Sequence, residues 1–97
     1  MDAIHFNWDK QKARINQKKH NISFEEAKTV FYDENARLIH DSDHSTEEER
    51  FLILGLSNKF RLVIVVHCCS EDEDIIRIIS ARKASKNEQK QYEEFLK

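Results

Sequence analysis

The sequence predicts an α+β domain: an antiparallel sheet of about four to five strands, with two N-terminal helices and one C-terminal helix gathered against it. Three observations predict it. From residue 36 onward, apolar runs alternate with short polar connections, the mark of a meander of strands joined by tight turns. Two segments open with Ser-x-x-Glu, at Ser23–Glu26 and Ser85–Glu88, the pattern in which a serine caps a helix and the glutamate reaches back. The 97 residues contain one glycine and no proline, and show no linker, repeat or low-complexity stretch, so residues 1–97 read as one domain with one modest core.

Ile4 to Trp8 alternates, with Ile4, Phe6 and Trp8 on one face, which predicts a half-buried strand. Asp9 then caps a helix to about His20, closed by His20 and Asn21. That helix is poor in apolar residues; Ala13, Asn16 and His20 form its least charged stripe. A second helix runs from Ser23 to about Tyr32, with Phe24, Ala27, Val30 and Phe31 on its core face. Asp33-Glu34-Asn35 turns into a strand at Ala36–His40. After a polar, acidic loop from Asp41 to Glu47, a strand follows at Glu49–Leu56 and a turn at Ser57-Asn58-Lys59. The central strand, Arg61–Cys69, is apolar on both faces from Leu62 to Val66. Glu71 to Asp74 make a solvated turn before the strand Ile75–Ala81. The last helix starts at Ser85 and offers a narrow apolar face of Tyr92, Phe95 and Leu96.

Net charge is −2, which by itself argues against a polyanion as partner. Its distribution argues the other way. Residues 9–20 hold five cations against Asp9, and residues 77–97 hold six against three glutamates, whereas 41–49 holds five acids and 71–74 four. Segregation of this kind creates local fields that the net value hides, although solvated helix faces would also produce it. The opening M-D-A-I-H-F is unlike a signal peptide and no apolar run is long enough to span a bilayer, so a cytosolic protein is expected. Cys68 and Cys69 are adjacent and would point to opposite faces of a strand, a poor pair to bridge. No ligand spacing supports zinc, and no metal or other cofactor is expected.

The chemistry is concentrated in I-I-R-I-I-S-A-R-K, residues 75–83. Arginine presents a rigid fork of donors suited to phosphate or carboxylate, so Arg77 and Arg82 call for an anion. In a regular strand Arg77 shares a face with Ile75, Ile79 and Ala81, while Ser80 and Arg82 share the other. Both arginines reach one ligand only if a bulge or the strand's end reorients Arg82. Otherwise Arg77 is a structural ion pair, with Glu49 or Glu88 as partner.

Several stretches resemble the BrnT toxins: F-N-W-D-K-Q-K at Phe6–Lys12, Asn16, Lys19-His20, S-F-E-E-A at Ser23–Ala27, D-x-D-H-S at Asp41–Ser45, E-E-R-F at Glu48–Phe51, and I-I-S-A-R-K-A at Ile78–Ala84, followed by Glu88 and Tyr92. The resemblance covers nearly the whole chain in order. It departs in the acidic turn Glu71–Asp74 and in His67, where an aromatic such as tyrosine is expected. It implies a RelE-like fold, a metal-independent ribonuclease toxin of a bacterial type II toxin–antitoxin pair, and a hetero-oligomer with a BrnA-like ribbon–helix–helix antitoxin that carries the only DNA contact.

RNA supplies its own nucleophile, the 2′-hydroxyl, so such an enzyme must chiefly stabilise charge developing on the phosphate. On this reading Arg82 and Arg50 clamp the phosphate, Arg77 assists, and Lys12 faces the same anion. His67 is a candidate proton carrier or a strand residue bonded to backbone; Glu49 is a candidate base or an inter-strand ion pair. Lys10, Lys19, Arg61 and Lys83 are expected to contact RNA. The rival reading is a binding module whose cationic face docks an acidic partner. A DNA-binding regulator acting alone has no recognition helix to support it.

Overall fold

The computed structural model describes residues 4–40, 50–69 and 74–96. In chain order they form β1 (His5–Asn7), α1 (Lys10–His20), α2 (Phe24–Thr29) with a single 3₁₀ turn at Val30–Tyr32, β2 (Arg37–His40), β3 (Phe51–Leu56), β4 (Leu62–Cys69), β5 (Ile75–Lys83) and α3 (Lys86–Phe95). The expected loop from Asp41, with Glu49, and residues 71–73 of the acidic turn lie outside the described residues.

Strands β2 to β5 form the expected antiparallel meander. The sheet order is β1-β5-β4-β3-β2, and β1 pairs with β5 in parallel, so the five-stranded sheet is mixed. That pairing joins His5 to Ile75, a distance in sequence that no local pattern reports.

Local capping explains where the helices begin. Asp9 accepts from the amides of Gln11 and Lys12, and Asn21 ends α1 in the left-handed region at φ 57°. Ser85 and Glu88 form the full reciprocal box at α3. The box expected at Ser23 is only half made. Ser23 accepts from Glu26 N–H, but the Glu26 carboxylate turns away to Arg61 and Ser57. The second helix tightens to 3₁₀ over its last three residues, Val30–Tyr32, and ends at the expected Tyr32.

The two faces of the sheet are covered unequally. On one, α1 and α2 close a core of Ile22, Phe24, Ala27, Val30, Ile53, Val63, Val65, Ile78 and Ala81. On the other, α3 covers only one end, where Tyr92 packs on Leu54, Ile64 and Ala84. Of the expected apolar face of α3 only Tyr92 is buried; Phe95 and Leu96 are exposed, and the Arg37 guanidinium lies over the Phe95 ring. Tyr92 donates to Asp33 Oδ2 at 2.6 Å, and the same oxygen accepts from Leu56 N–H. Burial, then the carboxylate, pushes the Tyr92 phenol up to about 12. Gly55 allows this junction: a Cβ there would lie 2.9 Å from Val30 Cγ1 and 3.1 Å from Asp33 Oδ2.

Candidate active site

The far end of the second face is left uncovered by α3, and strand register decides what stands on it. Val65 pairs with Ala81 and Val66 with Ser80, but the next residue, His67, pairs with Ile78 and Cys68 with Arg77. Ile79 is therefore the extra residue of a β-bulge. Residues directly opposite one another share a face, and faces alternate along β4. Arg77, Ser80 and Arg82 stand opposite Cys68, Val66 and Ile64, so the bulge brings all three to the same face. The condition under which both arginines reach one ligand is met in this way. Cys68 and Ile64 are four residues apart, about 13 Å along the strand, with Ser80 midway. Two extended arginine side chains can close that span on an anion between them.

Arg50 directly precedes β3, whose first residue pairs with His67. Continued one residue beyond the strand, that register would set Arg50 opposite Cys68, the partner of Arg77. Asp9 is electrostatically close to both Lys12 and Arg77, and its carboxyl is held below the usual range first by the Lys12 and Gln11 amides. The start of α1 thus lies beside the arginine row. Lys12 and Lys19 are exposed on α1 and line a cleft against Ile79 and Ser80 of β5. Lys10 is exposed in the first turn of α1, and Lys83 is exposed at the end of β5, opposite Val63.

Arg82 is held by Glu88. Nη1 and Nη2 donate to the two carboxylate oxygens at 2.8 and 3.0 Å, and Nη1 also donates to Lys83 O at 3.3 Å. The glutamate expected as a partner for Arg77 is thus the partner of Arg82, and among the described residues no carboxylate forms an ion pair with Arg77. The Arg82 hydrogen bond, with the Ser85 amide, holds the Glu88 carboxyl down at about 2. Arg82 still has donors to spare. A guanidinium carries five N–H groups, and Glu88 and Lys83 use three. Nε–H and one Nη2–H remain along the side of the fork, beyond the edge that Glu88 occupies.

Two expected site residues are placed elsewhere. His67 is 2% exposed on the opposite face, inside the core. Its ring packs edge-on against Phe31 at 4.8 Å and lies 6.0 Å from Phe51, and Nδ1 faces Val65 O at 3.3 Å. Burial pushes its pKa down, so the ring is a neutral packing element facing away from the arginines. Arg61 is committed to structure: Nε donates to Glu26 Oε2 at 2.9 Å, Nη2 to Glu26 Oε1 and, at 3.2 Å, to Asn21 O. Burial raises the Glu26 carboxyl, but Arg61 and Ser57 more than offset it and leave it below its ordinary value. Sequence spacing could not reveal this pairing, because it joins residues 35 apart.

Asn16 belongs to the less charged stripe of α1 and to the residues that carry the BrnT resemblance, and neither gives it a role. It is buried; Oδ1 accepts from Ala81 N–H at 3.0 Å and Nδ2 donates to Ile22 O at 3.0 Å. One amide thus ties α1 to β5 between Ser80 and Arg82. Its signal in the sequence was an uncharged polar residue on the core-facing side of a highly charged helix. Among the described residues, no group of three or more His, Cys, Asp or Glu side chains is placed to hold a metal ion, and no helix is long and apolar enough to cross a membrane.

No curated protein matches the chain. Among solved structures it is similar to the 1.1 Å crystal structure of the Brucella abortus ribonuclease toxin BrnT, with a TM-score of 0.65 and 21% identity, over 87% of this chain and 100% of that one. At that identity the likeness concerns the fold. A family model described as the ribonuclease toxin BrnT of type II toxin–antitoxin systems matches residues 8–88. With most of its length matched, the chain belongs to the BrnT family of type II toxin–antitoxin ribonuclease toxins.

Proposed function

We propose that this protein is a cytosolic endoribonuclease that cleaves RNA without a metal, using the 2′-hydroxyl of the substrate as nucleophile. The observation that carries the reading is the bulge at Ile79, which puts Arg77, Ser80 and Arg82 on one open face. In the reaction the 2′-oxygen forms a bond to the adjacent phosphorus and the bond from phosphorus to the 5′-oxygen breaks. The proton leaves the 2′-oxygen and one is delivered to the 5′-oxygen. The products are a 2′,3′-cyclic phosphate and a free 5′-hydroxyl.

Fixed cations aimed at the developing charge contribute most to such a step. Arg82 is the oriented one: Glu88 fixes its plane and leaves Nε–H and an Nη2–H for a phosphate oxygen. Arg77, Arg50 and Lys12 add charge around the same point, Lys10 and Lys19 hold the flanking backbone, and Lys83, on the other face of β5 opposite Val63, reaches it only round the strand's end. His67 has no part in proton transfer, because it is buried on the other face. Glu49 remains the proposed base, one residue before Arg50. Glu88, with its carboxyl held near 2, stays ionised and serves to position Arg82.

Membership of a toxin–antitoxin family brings an antitoxin partner. We take that partner to be a BrnA-like ribbon–helix–helix protein that forms a hetero-oligomer with the toxin and makes the DNA contact. The test of the enzyme is incubation of purified protein with labelled RNA, with and without EDTA, followed by analysis of the new ends. Cleavage that survives EDTA and leaves 2′,3′-cyclic phosphates supports the proposal. Intact RNA in a tight complex supports the binding-module reading instead.

A further inference from the structure

Between α1 and β5 runs a cleft of about 280 Å³, lined by Lys12, Ile15, Asn16, Lys19, His20, Ile79 and Ser80. Among the described residues no carboxylate lines it. Lys12, Ile15 and Lys19 recur at helical spacing, so they present one side of α1 to the cleft. Ile15 is 57% exposed, an apolar side chain in the middle of a cation-rich helix that packs into neither core cluster. Ile79 faces it across the cleft because the bulge displaces it from the ladder. Ser80 belongs both to this cleft and to the arginine face, which makes the two continuous. Asn16, bonded to Ala81 N–H and Ile22 O, fixes the helix at this separation from the strand.

We propose that this cleft is a nucleotide subsite for single-stranded RNA: Lys19 takes the phosphate next to the scissile one, Lys12 stands between the two phosphates, and the base lies between Ile15 and Ile79. The inference rests on the ribonuclease reading and adds to it where a flanking nucleotide binds. Each side supplies what a nucleotide offers. The phosphate needs fixed cations, and the base needs apolar surface against its face, which binds any base without selecting its sequence. Strand β5 supplies the arginine face and one wall of the cleft, so an RNA chain leaving the arginines enters it directly past Ser80.

The probe is a fluorescent hexaribonucleotide fully 2′-O-methylated, which removes the nucleophile and so measures binding alone. Its affinity is followed against salt for the wild type, Lys12→Ala/Lys19→Ala, Ile15→Asp and Ile15→Phe, with melting curves to confirm folding. Each lysine lost should lower the slope of log affinity against log salt by about 0.7. Ile15→Asp should weaken binding roughly tenfold and Ile15→Phe should strengthen it by about fivefold or more, since a flat aromatic stacks on the face of any base. An unchanged salt slope in the double variant, or an affinity indifferent to residue 15, overturns the subsite. That failure is separable from failure of the enzyme. A wild type that cleaves unmodified RNA while the lysine and Ile15 variants bind the probe normally sinks the subsite alone. A wild type that binds the probe with the expected dependence on Lys12, Lys19 and Ile15 but cleaves nothing sinks only the ribonuclease reading.

Discussion

Replacing Glu88 by glutamine separates its two tasks, capping α3 and aiming Arg82. Held at about 2 instead of 4.5, the carboxylate contributes at most about 3.5 kcal/mol, at about 1.4 kcal/mol per pH unit. The Arg82 side chain is 44% exposed, so solvent screening lowers that to about 1–2 kcal/mol. The sign follows from the direction of the shift. A carboxyl whose native pKa is depressed stabilises the fold fully above its ordinary 4.5, and that contribution fades as pH falls towards 2. Urea unfolding of the wild type and Glu88→Gln should therefore differ by about 1–2 kcal/mol at pH 7, with roughly half of the gap gone near pH 3. Glutamine cannot present two equivalent acceptors to the fork, so Arg82 loses its fixed plane and RNA cleavage should fall at least tenfold while RNA binding is retained. A gap that stays constant on acidification, or full activity in the variant, would refute the claim that this ion pair orients the arginine.

Two other substitutions probe the frame around the site. Gly55→Ala places a methyl 2.9 Å from Val30 Cγ1 and close to Asp33, and should cost about 1–3 kcal/mol in thermal or urea unfolding; an unchanged midpoint would show that the junction adjusts freely. His67→Phe should fold and retain cleavage. Because burial depresses the native pKa of His67, its neutral form is stable above about 6.5 and the wild type loses stability below that, by up to about 1.4 kcal/mol per pH unit relative to the variant. Loss of cleavage in a folded His67→Phe protein would return the imidazole to the chemistry.

The sequence carried most of the framework because most of its signals are local. Asp9 and Ser85 cap their helices within three residues of themselves, and the short turns of the meander fix antiparallel pairing. The parallel contact of β1 with β5 had no such signal, since it forms through tertiary packing of Phe6 and Trp8. The site was legible in composition but not in geometry. Arg77 and Arg82 stood out as cations in an isoleucine strand, yet the face of each depended on one extra residue. Ile79 is indistinguishable in sequence from its neighbours. His67 looked available because alternation cannot say which face of a doubly covered strand is dry. Arg61 looked free because its partner Glu26 seemed occupied in a capping box; the carboxylate instead chose a full guanidinium over a single amide.

The arginine face is tested most directly at Arg77. This side chain is exposed and in no ion pair among the described residues, so removing it breaks none of those pairs. The measurement is the rate of RNA cleavage by Arg77→Ala beside the wild type, at equal melting temperature. If the bulge places Arg77 against the reacting phosphate, the rate falls by about 10²–10³, the usual cost of one lost donor at such a centre. A folded Arg77→Ala protein that cleaves RNA at the wild-type rate would show that the catalytic centre lies elsewhere on the molecule.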